Sequence, residues 1–286
     1  MNGTESSGLR GRGRFAPSPT GRMHLGNVYA AAMSWLSARR RGGEWVLRIE
    51  DIDRERSRRE YAEQLISDLD WLGLRWDGPI EWQSRRGEFY EQALRSLAEQ
   101  GVVYACVCTR ADIMAASAPH QSDGRIIYGG RCRPAGMPRQ SEFPAGRHSV
   151  RLWVPDREVC FVDRNFGEQR VNLARDCGDF IVRRADGGWA YQLAVTVDDA
   201  LMGITEVVRG EDLLLSAAQQ IYLFELLGYA APEYAHIPLL RNEAGERLAK
   251  RDRGANLDEL RPKLSPEELL SLVLTDEDLA DWRRLR

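Results

Sequence analysis

The chain of 286 residues lacks the features of exported, membrane-embedded or disulfide-stabilised proteins. No stretch approaches the roughly 18 consecutive apolar residues that a membrane span requires. The first residues contain no apolar run of signal-peptide length. Five cysteines, an odd number in a chain of this size, argue against a disulfide framework and for reduced thiols or a metal site. The sequence therefore predicts a cytoplasmic enzyme that does not bind membranes.

A strong overall charge is also lacking, since the formal net charge is only −3. Hydrophobic residues make up 43% of the chain and charged residues 29%, which is an ordinary globular composition and excludes a disordered protein. Arginines nevertheless form local clusters, such as the one at 39–41. Such clusters either meet phosphate groups or form solvated helix faces.

Segments with the apolar pattern of strands and of helices alternate along the first third of the chain. The predicted elements are strands at 13–18, 44–51 and 102–108, and helices at about 23–43, 56–72 and 86–100. This alternation predicts an α/β fold with a doubly wound parallel sheet of the Rossmann type.

The middle of the chain has a different pattern. From about 109 to 146, Gly, Pro, Ser and Arg replace the periodicity, which indicates an inserted segment with little core of its own. Beyond it we predict antiparallel strands at 148–155, 159–167 and 180–199, a helix at 213–228 and one last short helix at 264–274. Asp186-Gly187-Gly188 is expected to form a hairpin turn within the third of these strand regions.

A tight connection, FAPSPTGRMHLGN, joins the first strand to the first helix. A helix N-terminus presents N–H groups without intrahelical partners and the positive end of the helix dipole, where nucleotide phosphates bind. Gly21 and Gly26 would let a ligand approach the backbone closely. Neither the P-loop pattern nor the dinucleotide glycine pattern is present.

Four motifs, in order along the chain, resemble those of a known family: RFAPSPTGRMHLGN, RIEDID, VVRGEDLL and RLAKR. Together they resemble the glutamyl branch of the class I aminoacyl-tRNA synthetases. His24-Leu25-Gly26-Asn27 corresponds to the HIGH-type signature of that class. Residues 247–251 correspond to its KMSKS-type loop, with Leu248-Ala249 in place of Met-Ser.

The length distinguishes members within that branch. Only 36 residues of the 286 follow Lys250, and small domains need about 50, so we expect no anticodon-binding domain. The chain therefore resembles the truncated family of this branch, the glutamyl-queuosine tRNA(Asp) synthetases. The resemblance implies activation of L-glutamate by ATP with Mg²⁺, and transfer of glutamate to the queuosine base in the anticodon of tRNA(Asp). We expect a monomer.

The pattern and the resemblance together divide the chain into four segments. Residues 1–105 and 191–245 are expected to form the two halves of the catalytic domain. An inserted acceptor-type, zinc-binding α+β subdomain would occupy 106–190. Residues 246–286 would contain the signature loop and a short helical segment.

Glutamate carries two carboxylates and one ammonium group, so its pocket needs cationic side chains and an acceptor. Arg14 and Arg209 are the candidates for the carboxylates, because arginine binds carboxylates bidentately and keeps its charge. Glu50 leaves the end of a strand, where parallel sheets place their ligands, and would pair with the ammonium group. Asp51 and Asp53 are alternatives to Glu50.

The resemblance adds further residues to the glutamate site. They are Phe15, Ala16, Pro17, Ser18 and Tyr191. Which arginine holds which carboxylate stays open, and an ion pair between Arg14 and Glu50 is the alternative to a role of these two in binding.

His24 and Lys250 are the predicted catalytic residues. His24 suits the charge that develops on the α-phosphate of ATP, and Lys250 suits the leaving pyrophosphate as a compact point charge. Gly26 and Asn27 would complete the ATP site. The alternatives are an ordinary structural histidine and a surface lysine within a basic run.

A metal site is predicted from the cysteines. Cys106 and Cys108 are two residues apart on a predicted strand, so both thiols would point to one side. Tyr128 and Cys132 follow in YGGRC, and the family often carries a zinc ion held by such a pair and a later Tyr-x-x-x-Cys. His120 and His148 are alternative ligands, and three reduced thiols without a metal are the other interpretation. Cys160 and Cys177 are expected to be packing residues.

Three other functions fit parts of the sequence. They are a compact enzyme that glutamylates the 3′ end of tRNA(Glu) and needs a partner for anticodon recognition, a small-molecule ligase that forms adenylates, and an RNA-binding module on an inactive synthetase fold. The presence of His24, Gly26 and Lys250 argues against the last of these.

Overall fold

A computed structural model describes residues 11–109, 111–112, 127–136, 143, 146–241 and 256–286. Its strands, in chain order, are β1 Arg12–Phe15, β2 Glu44–Ile49, β3 Glu81–Trp82, β4 Val103–Cys106, β5 Ser149–Leu152, β6 Glu158–Asp163, β7 Gly167–Asn172, β8 Ile181–Arg183, β9 Glu206–Gly210 and β10 Glu233–Ile237. The helices are α1 Leu25–Arg40, α2 Arg59–Trp71, α3 Gly87–Glu99, α4 Tyr191–Leu201, α5 Leu214–Leu227, α6 Leu257–Leu260, α7 Pro266–Ser271 and α8 Asp276–Leu285.

Contacts within the chain define two compact units. The first contains the described residues within Met1–Trp82, Gly203–Glu211 and Pro232–Arg286, and the second contains those within Gln83–Met202 and Asp212–Ala231. The four-segment division made from the sequence stays a prediction.

The first unit contains a parallel sheet, as predicted. Of the three strands from which it was predicted, 13–18 and 44–51 belong to it, but 102–108 forms β4, which pairs antiparallel with β5 in the second unit. The strands of the parallel sheet run in the order β3-β2-β1-β9-β10, and each neighbouring pair is parallel. Helix α1 packs on one face, where Tyr29 and Met33 cover the buried side chains of Val208, Ala235 and Ile237. The doubly wound α/β prediction is confirmed for this unit, because β1-α1-β2 and β2-α2-β3 are each a strand, a helix and a parallel strand.

The C-terminal helices also belong to the first unit, and two of them, α6 and α8, were not predicted. Beyond α7 the chain forms α8, whose Trp282 is fully buried and donates from its indole nitrogen to the carbonyl of Leu72 at 3.1 Å. Arg40 of α1 pairs with Asp278 at 2.7 Å and with Asp281 at 2.6 Å. Helix α8 is difficult to recognise in the sequence because it is short and its apolar pattern covers few residues. Tertiary packing supplies most of its stability.

The second unit combines antiparallel strands with helices. Strands β4, β5 and β8 form a three-stranded sheet in the order β4-β5-β8, and β6 and β7 form a hairpin with Val159 opposite Val171. The predicted turn at 186–188 is present, with Gly187 at φ 84° and the Gly187 N–H bonded to the Arg184 carbonyl. Cys160 is exposed, because strand alternation turns it outward, so its assignment as a packing residue was wrong.

The prediction that residues 191–199 are strand was wrong, since they form helix α4. Val195, Thr196 and Val197 favour a strand by intrinsic preference. In the fold they are buried on a helix that packs against α5. The Asp198 carboxylate is also buried there and accepts hydrogen bonds from Gln83, Arg86 and Tyr90. Tertiary contacts therefore override the local preference.

Candidate active site

One face of the parallel sheet carries charged side chains at strand ends. Parallel strands buried on both faces usually consist of uninterrupted apolar runs. Here β2 alternates, and Trp45, Leu47 and Ile49 point into the core with α1, which places Arg48 on the opposite face. Because Arg14 lies opposite Val46 in the sheet register, Arg14 shares this face with Arg48.

The register places the second predicted arginine on this face as well. Gly13 lies opposite Glu206, so Arg14 lies opposite Val207 and on the same side as Arg209. Arg14 is 4% exposed and Arg209 is 6% exposed. One terminal nitrogen of Arg14 reaches the backbone carbonyl of Val208 at 3.5 Å. The structure therefore brings together the two guanidinium groups that are 195 residues apart in the sequence.

Glu50 follows β2 on the same face. Its carboxylate accepts a hydrogen bond from the fully buried Arg48 at 3.1 Å, and its backbone N–H donates to the carbonyl of Pro17 at 3.0 Å. The alternative Asp53 accepts from the backbone N–H and the side chain of Arg56, as a turn residue. Asp51 is only half-buried. Glu50 is thus the buried acid of the RIEDID motif.

His24 ends the tight connection and caps helix α1. Its Nδ1 accepts from the N–H of Gly26 at 3.0 Å, and its own N–H donates to the side-chain oxygen of Asn27 at 3.1 Å. This is a capping box, which satisfies two backbone donors at the helix start. With Nδ1 as acceptor, a neutral imidazole carries its proton on Nε2. A Cβ on Gly26 would meet the His24 ring at 2.9 Å, so this glycine makes room for the cap.

The predicted signature loop lies outside the described residues, and Lys250 with it. The first described residue after it, Asn256, pairs with His24 in an antiparallel bridge, and the next N–H, of Leu257, donates to the carbonyl of Met23 at 3.0 Å. The chain that leaves the loop is therefore attached to the start of α1.

The residues that follow Arg14 have mixed orientations. Phe15 stacks on Trp45 with ring centres 6.2 Å apart in the core on the α1 side, so its side chain points away from the charged face. Pro17 is buried beside Glu50, Ala16 is half-buried and Ser18 is exposed. Tyr191 is the first residue of α4, in the second unit, where it is half-buried.

Three thiols of the second unit converge as predicted. The Sγ atoms of Cys106, Cys108 and Cys132 lie within 4.8 Å of one another. The Tyr128 hydroxyl accepts from the Cys106 thiol at 3.4 Å and from the Cys132 N–H at 2.7 Å. Strand β4 ends at Cys106, so Cys108 joins the cluster from the following loop. Among the described residues His148 is not part of this cluster, and His120 lies outside them.

The surroundings of Cys106 favour the ionised form of this thiol. The Arg151 guanidinium lies 3.8 Å from the centre of the Tyr128 ring. Burial opposes ionisation of Cys106, but hydrogen bonds with Tyr128 and Arg151 outweigh it and lower the pKa of this thiol to about 7. Three sulfur ligands with one easily ionised thiol fit the donor set of a structural zinc ion. Gly178, at φ +62°, lets this segment pack closely, since a Cβ there would meet Ile127 at 2.7 Å.

Two buried residues of the charged face were missed in the sequence. Arg48 was overlooked although its spacing of two from Val46 and Glu50 places all three on one side of a strand. His236 on β10 lies directly opposite Arg209 and is fully buried. A single histidine within YAHIPLL gives no signal until the register is known.

The chain is similar to known proteins over most of its length. Residues 11–264 match the family model described as tRNA synthetases class I (E and Q), catalytic domain. Proteins named Glutamyl-Q tRNA(Asp) synthetase are similar over most of the chain. The one from Neisseria meningitidis is 47% identical over 247 residues, which cover 86% of this chain and 82% of that protein. The one from Chromobacterium violaceum is 50% identical over 239 residues, covering 84% and 78%.

Solved structures give the same result for the fold. A glutamate tRNA ligase from Elizabethkingia meningosepticum in complex with its amino acid aligns with a TM-score of 0.79 at 27% identity. A glutamate-tRNA synthetase from Elizabethkingia anophelis aligns with a TM-score of 0.76 at 29% identity. This chain spans 64% and 61% of the length of those two chains. Among the described residues no helix is long and apolar enough to cross a membrane.

Proposed function

The chain belongs to the family of class I glutamyl- and glutaminyl-tRNA synthetase catalytic domains, and on that basis we propose its reaction. It activates L-glutamate with ATP to glutamyl-adenylate and transfers the glutamyl group to the queuosine base in the anticodon of tRNA(Asp). The acceptor is proposed from relatives that carry the name Glutamyl-Q tRNA(Asp) synthetase and are 46–50% identical. The enzyme is a ligase, as its family is.

The observation that carries the glutamate assignment is the charge on the buried face. Arg14, Arg48 and Arg209 supply three guanidinium groups there, and Glu50 supplies one carboxylate. Glutamate brings two carboxylates and one ammonium group, which is the complementary set. Arg14 and Arg209 would bind the carboxylates, and Glu50, held by Arg48, would accept from the ammonium group.

The ATP site is proposed at the start of α1. The positive end of the dipole of this helix favours an anion. His24, with its proton on Nε2, would donate to the α-phosphate as negative charge develops there. The N–H of Gly26 holds the ring in that orientation, and the Asn27 side chain accepts from the backbone N–H of His24. Lys250 would bind the pyrophosphate. It is six residues before Asn256, so an extended connection lets it lie within about 20 Å of that anchor.

The chemistry needs no nucleophile from the protein. One carboxylate oxygen of glutamate attacks the α-phosphorus, the bond to the β-phosphate oxygen breaks, and pyrophosphate leaves. A nucleophilic group of the queuosine base then attacks the activated carbonyl carbon, and AMP leaves. Position and charge account for the rate in such transfers. Mg²⁺ bound with ATP would offset the charge of the phosphates.

We also propose a structural zinc ion in the second unit. Cys106, Cys108 and Cys132 would bind it through sulfur, with the Tyr128 hydroxyl beside them as the fourth donor. The proposal rests on the convergence of the three thiols within 4.8 Å. A metal there would stabilise a segment that has only a small core.

The test combines two assays on the wild-type protein. ATP–pyrophosphate exchange without RNA should depend on glutamate and not on aspartate or glutamine. Radiolabelled glutamate should then enter tRNA(Asp) that carries queuosine, but not tRNA(Asp) that lacks it, and the label should survive prior periodate oxidation of the 3′ ends. Exchange without glutamate dependence would refute the activation step.

One specific observation keeps a second acceptor under test. The solved structures that align over 97% and 92% of this chain are those of a glutamate tRNA ligase and a glutamate-tRNA synthetase. A compact enzyme that glutamylates the 3′ end of tRNA(Glu) predicts labelling that periodate oxidation abolishes. The same experiment therefore separates the two acceptors.

A further inference from the structure

The buried histidine His236 lies beside one of the proposed substrate-binding arginines. Strands β9 and β10 are parallel with Arg209 directly opposite His236, so both side chains lie on the charged face. The Nε–H of Arg209 donates to His236 Nε2 at 3.1 Å. His236 is 0% exposed. No role in the reaction has been given to this histidine so far.

The direction of this hydrogen bond fixes the state of the imidazole. Arginine has only donors, so His236 Nε2 must accept and therefore carries no proton. The neutral ring then carries its proton on Nδ1. A doubly protonated ring could not accept this bond and would repel the guanidinium. His236 is thus a neutral hydrogen-bond acceptor for Arg209 and not a second cation beside it.

The Tyr234 ring makes a second contact with the Arg209 guanidinium. The Arg209 Cζ atom lies 5.3 Å from the centre of the Tyr234 ring. Tyr234 in turn stacks on His236, with ring centres 5.9 Å apart and planes 11° from parallel. Tyr234 and His236 are two residues apart on β10, which gives them one common face. The two rings form a platform that restricts both the position and the plane of the guanidinium.

The hydrogen bond from the Arg209 Nε–H to His236 limits how Arg209 can bind a carboxylate. A guanidinium binds a carboxylate bidentately either through Nε and one Nη or through both Nη groups. The first edge is occupied by the histidine. A substrate carboxylate therefore cannot use the Nε edge of Arg209 while the bond to His236 is present.

We propose that His236 is a positioning residue that orients Arg209 for recognition of a glutamate carboxylate. The inference rests on the proposed function and adds a residue to it. His236 acts through Arg209 and touches neither ATP nor the reacting atoms. Its loss should therefore weaken glutamate binding selectively.

Three variants separate this role from a structural one. In His236→Gln the side-chain oxygen reaches the position of Nε2 and can accept from Arg209. In His236→Asn the amide is polar but too short, and in His236→Leu the acceptor is absent. We expect the KM for glutamate, measured by ATP–pyrophosphate exchange, to rise about 10- to 100-fold in the Leu and Asn variants, with the KM for ATP within about twofold. The Gln variant should stay within about threefold of the wild type.

The outcomes are distinct. An unchanged KM for glutamate in the Asn and Leu variants, or an equal rise of both KM values in all three, would overturn the inference. If the Leu variant does not fold, the comparison of Gln with Asn decides. If the wild type shows no glutamate-dependent exchange, the proposed function fails. The ¹⁵N spectrum of histidine-labelled protein then tests the pair separately, because the inference requires an unprotonated Nε2 on His236, and a protonated Nε2 would refute it.

Discussion

Replacement of Glu50 by Gln tests the charge pattern on which the glutamate site depends. Glu50 is 6% exposed, and its carboxylate lies 3.1 Å from the fully buried Arg48. Glutamine keeps the volume and an oxygen that can accept from Arg48, but it removes the negative charge proposed to face the substrate ammonium. The substitution should therefore affect substrate binding more than the packing of the strand.

The expected size follows from the burial of the pair. Truncation of one member of a buried charge pair costs about 2–5 kcal/mol. Glu50→Gln keeps an oxygen that can accept a hydrogen bond, so we expect a cost at the lower end of this range, about 2–3 kcal/mol. At 1.36 kcal/mol per factor of ten, kcat/KM for glutamate should fall about 30- to 150-fold. The KM for ATP should change little, because ATP is proposed to bind at the start of α1.

The assay is ATP–pyrophosphate exchange with glutamate as the varied substrate, and the matched control is Asp51→Asn. Asp51 is the next residue in the chain and is only half-buried, so its variant should stay within about threefold of the wild type. Urea unfolding of both variants shows whether any loss comes from instability. A Glu50 variant within threefold of the wild type, together with a large loss in the Asp51 variant, would refute the reasoning and assign the ammonium to Asp51.

The remaining predictions concern the helix cap, the second unit and the metal. Gly26→Ala should raise the KM for ATP at least tenfold, because its Cβ would meet the capping His24 ring at 2.9 Å; Gly136→Ala, with nothing within 4 Å of its Cβ, is the control, and equal kinetics of the two would count against the cap. Asp198→Ala should lower the free energy of urea unfolding by about 3–5 kcal/mol, since it removes the fully buried carboxylate that accepts from Gln83, Arg86 and Tyr90. Tyr90→Phe, which removes one of the three bonds to that carboxylate, should cost about 1 kcal/mol, and similar losses in both would contradict this account. Cys108→Ser should reduce bound zinc, measured by elemental analysis, from about one ion per chain to near zero, whereas Cys177→Ser should retain it.

The sequence predicts the β1-α1-β2-α2 part of the first unit because its determinants are local. Residues 12–72 show the spacing of apolar residues, the glycines that follow a helix and the lengths of the strands. The alternation of strands and helices in this segment predicts the parallel sheet. The same reasoning fails at 191–199, where Val195, Thr196 and Val197 favour a strand and only their packing in the second unit makes a helix. It also misses α8, whose stability depends on the burial of Trp282.

The candidate site depends on information that is not local. Arg14, Glu50 and Arg209 were found by residue chemistry and by resemblance, but their common face follows only from the register of β1 with β2 and β9. The partners that hold them were not found. Arg48 and His236 become meaningful once each is placed beside the residue it bonds, because a buried histidine or arginine has no distinctive sequence pattern.

The charged side chains of this face are held in place by contacts within the protein. Three buried guanidinium groups repel one another, and they and the buried carboxylate lose hydration at a considerable cost to the folded state. Arg48 is balanced by Glu50 at 3.1 Å, and Arg209 is supported by the acceptor nitrogen of His236 and by the Tyr234 ring. The imidazole and the phenol ring carry no negative charge, so neither of these two groups neutralises the guanidinium. A substrate carboxylate would add the charge-assisted hydrogen bonds that these two groups do not supply.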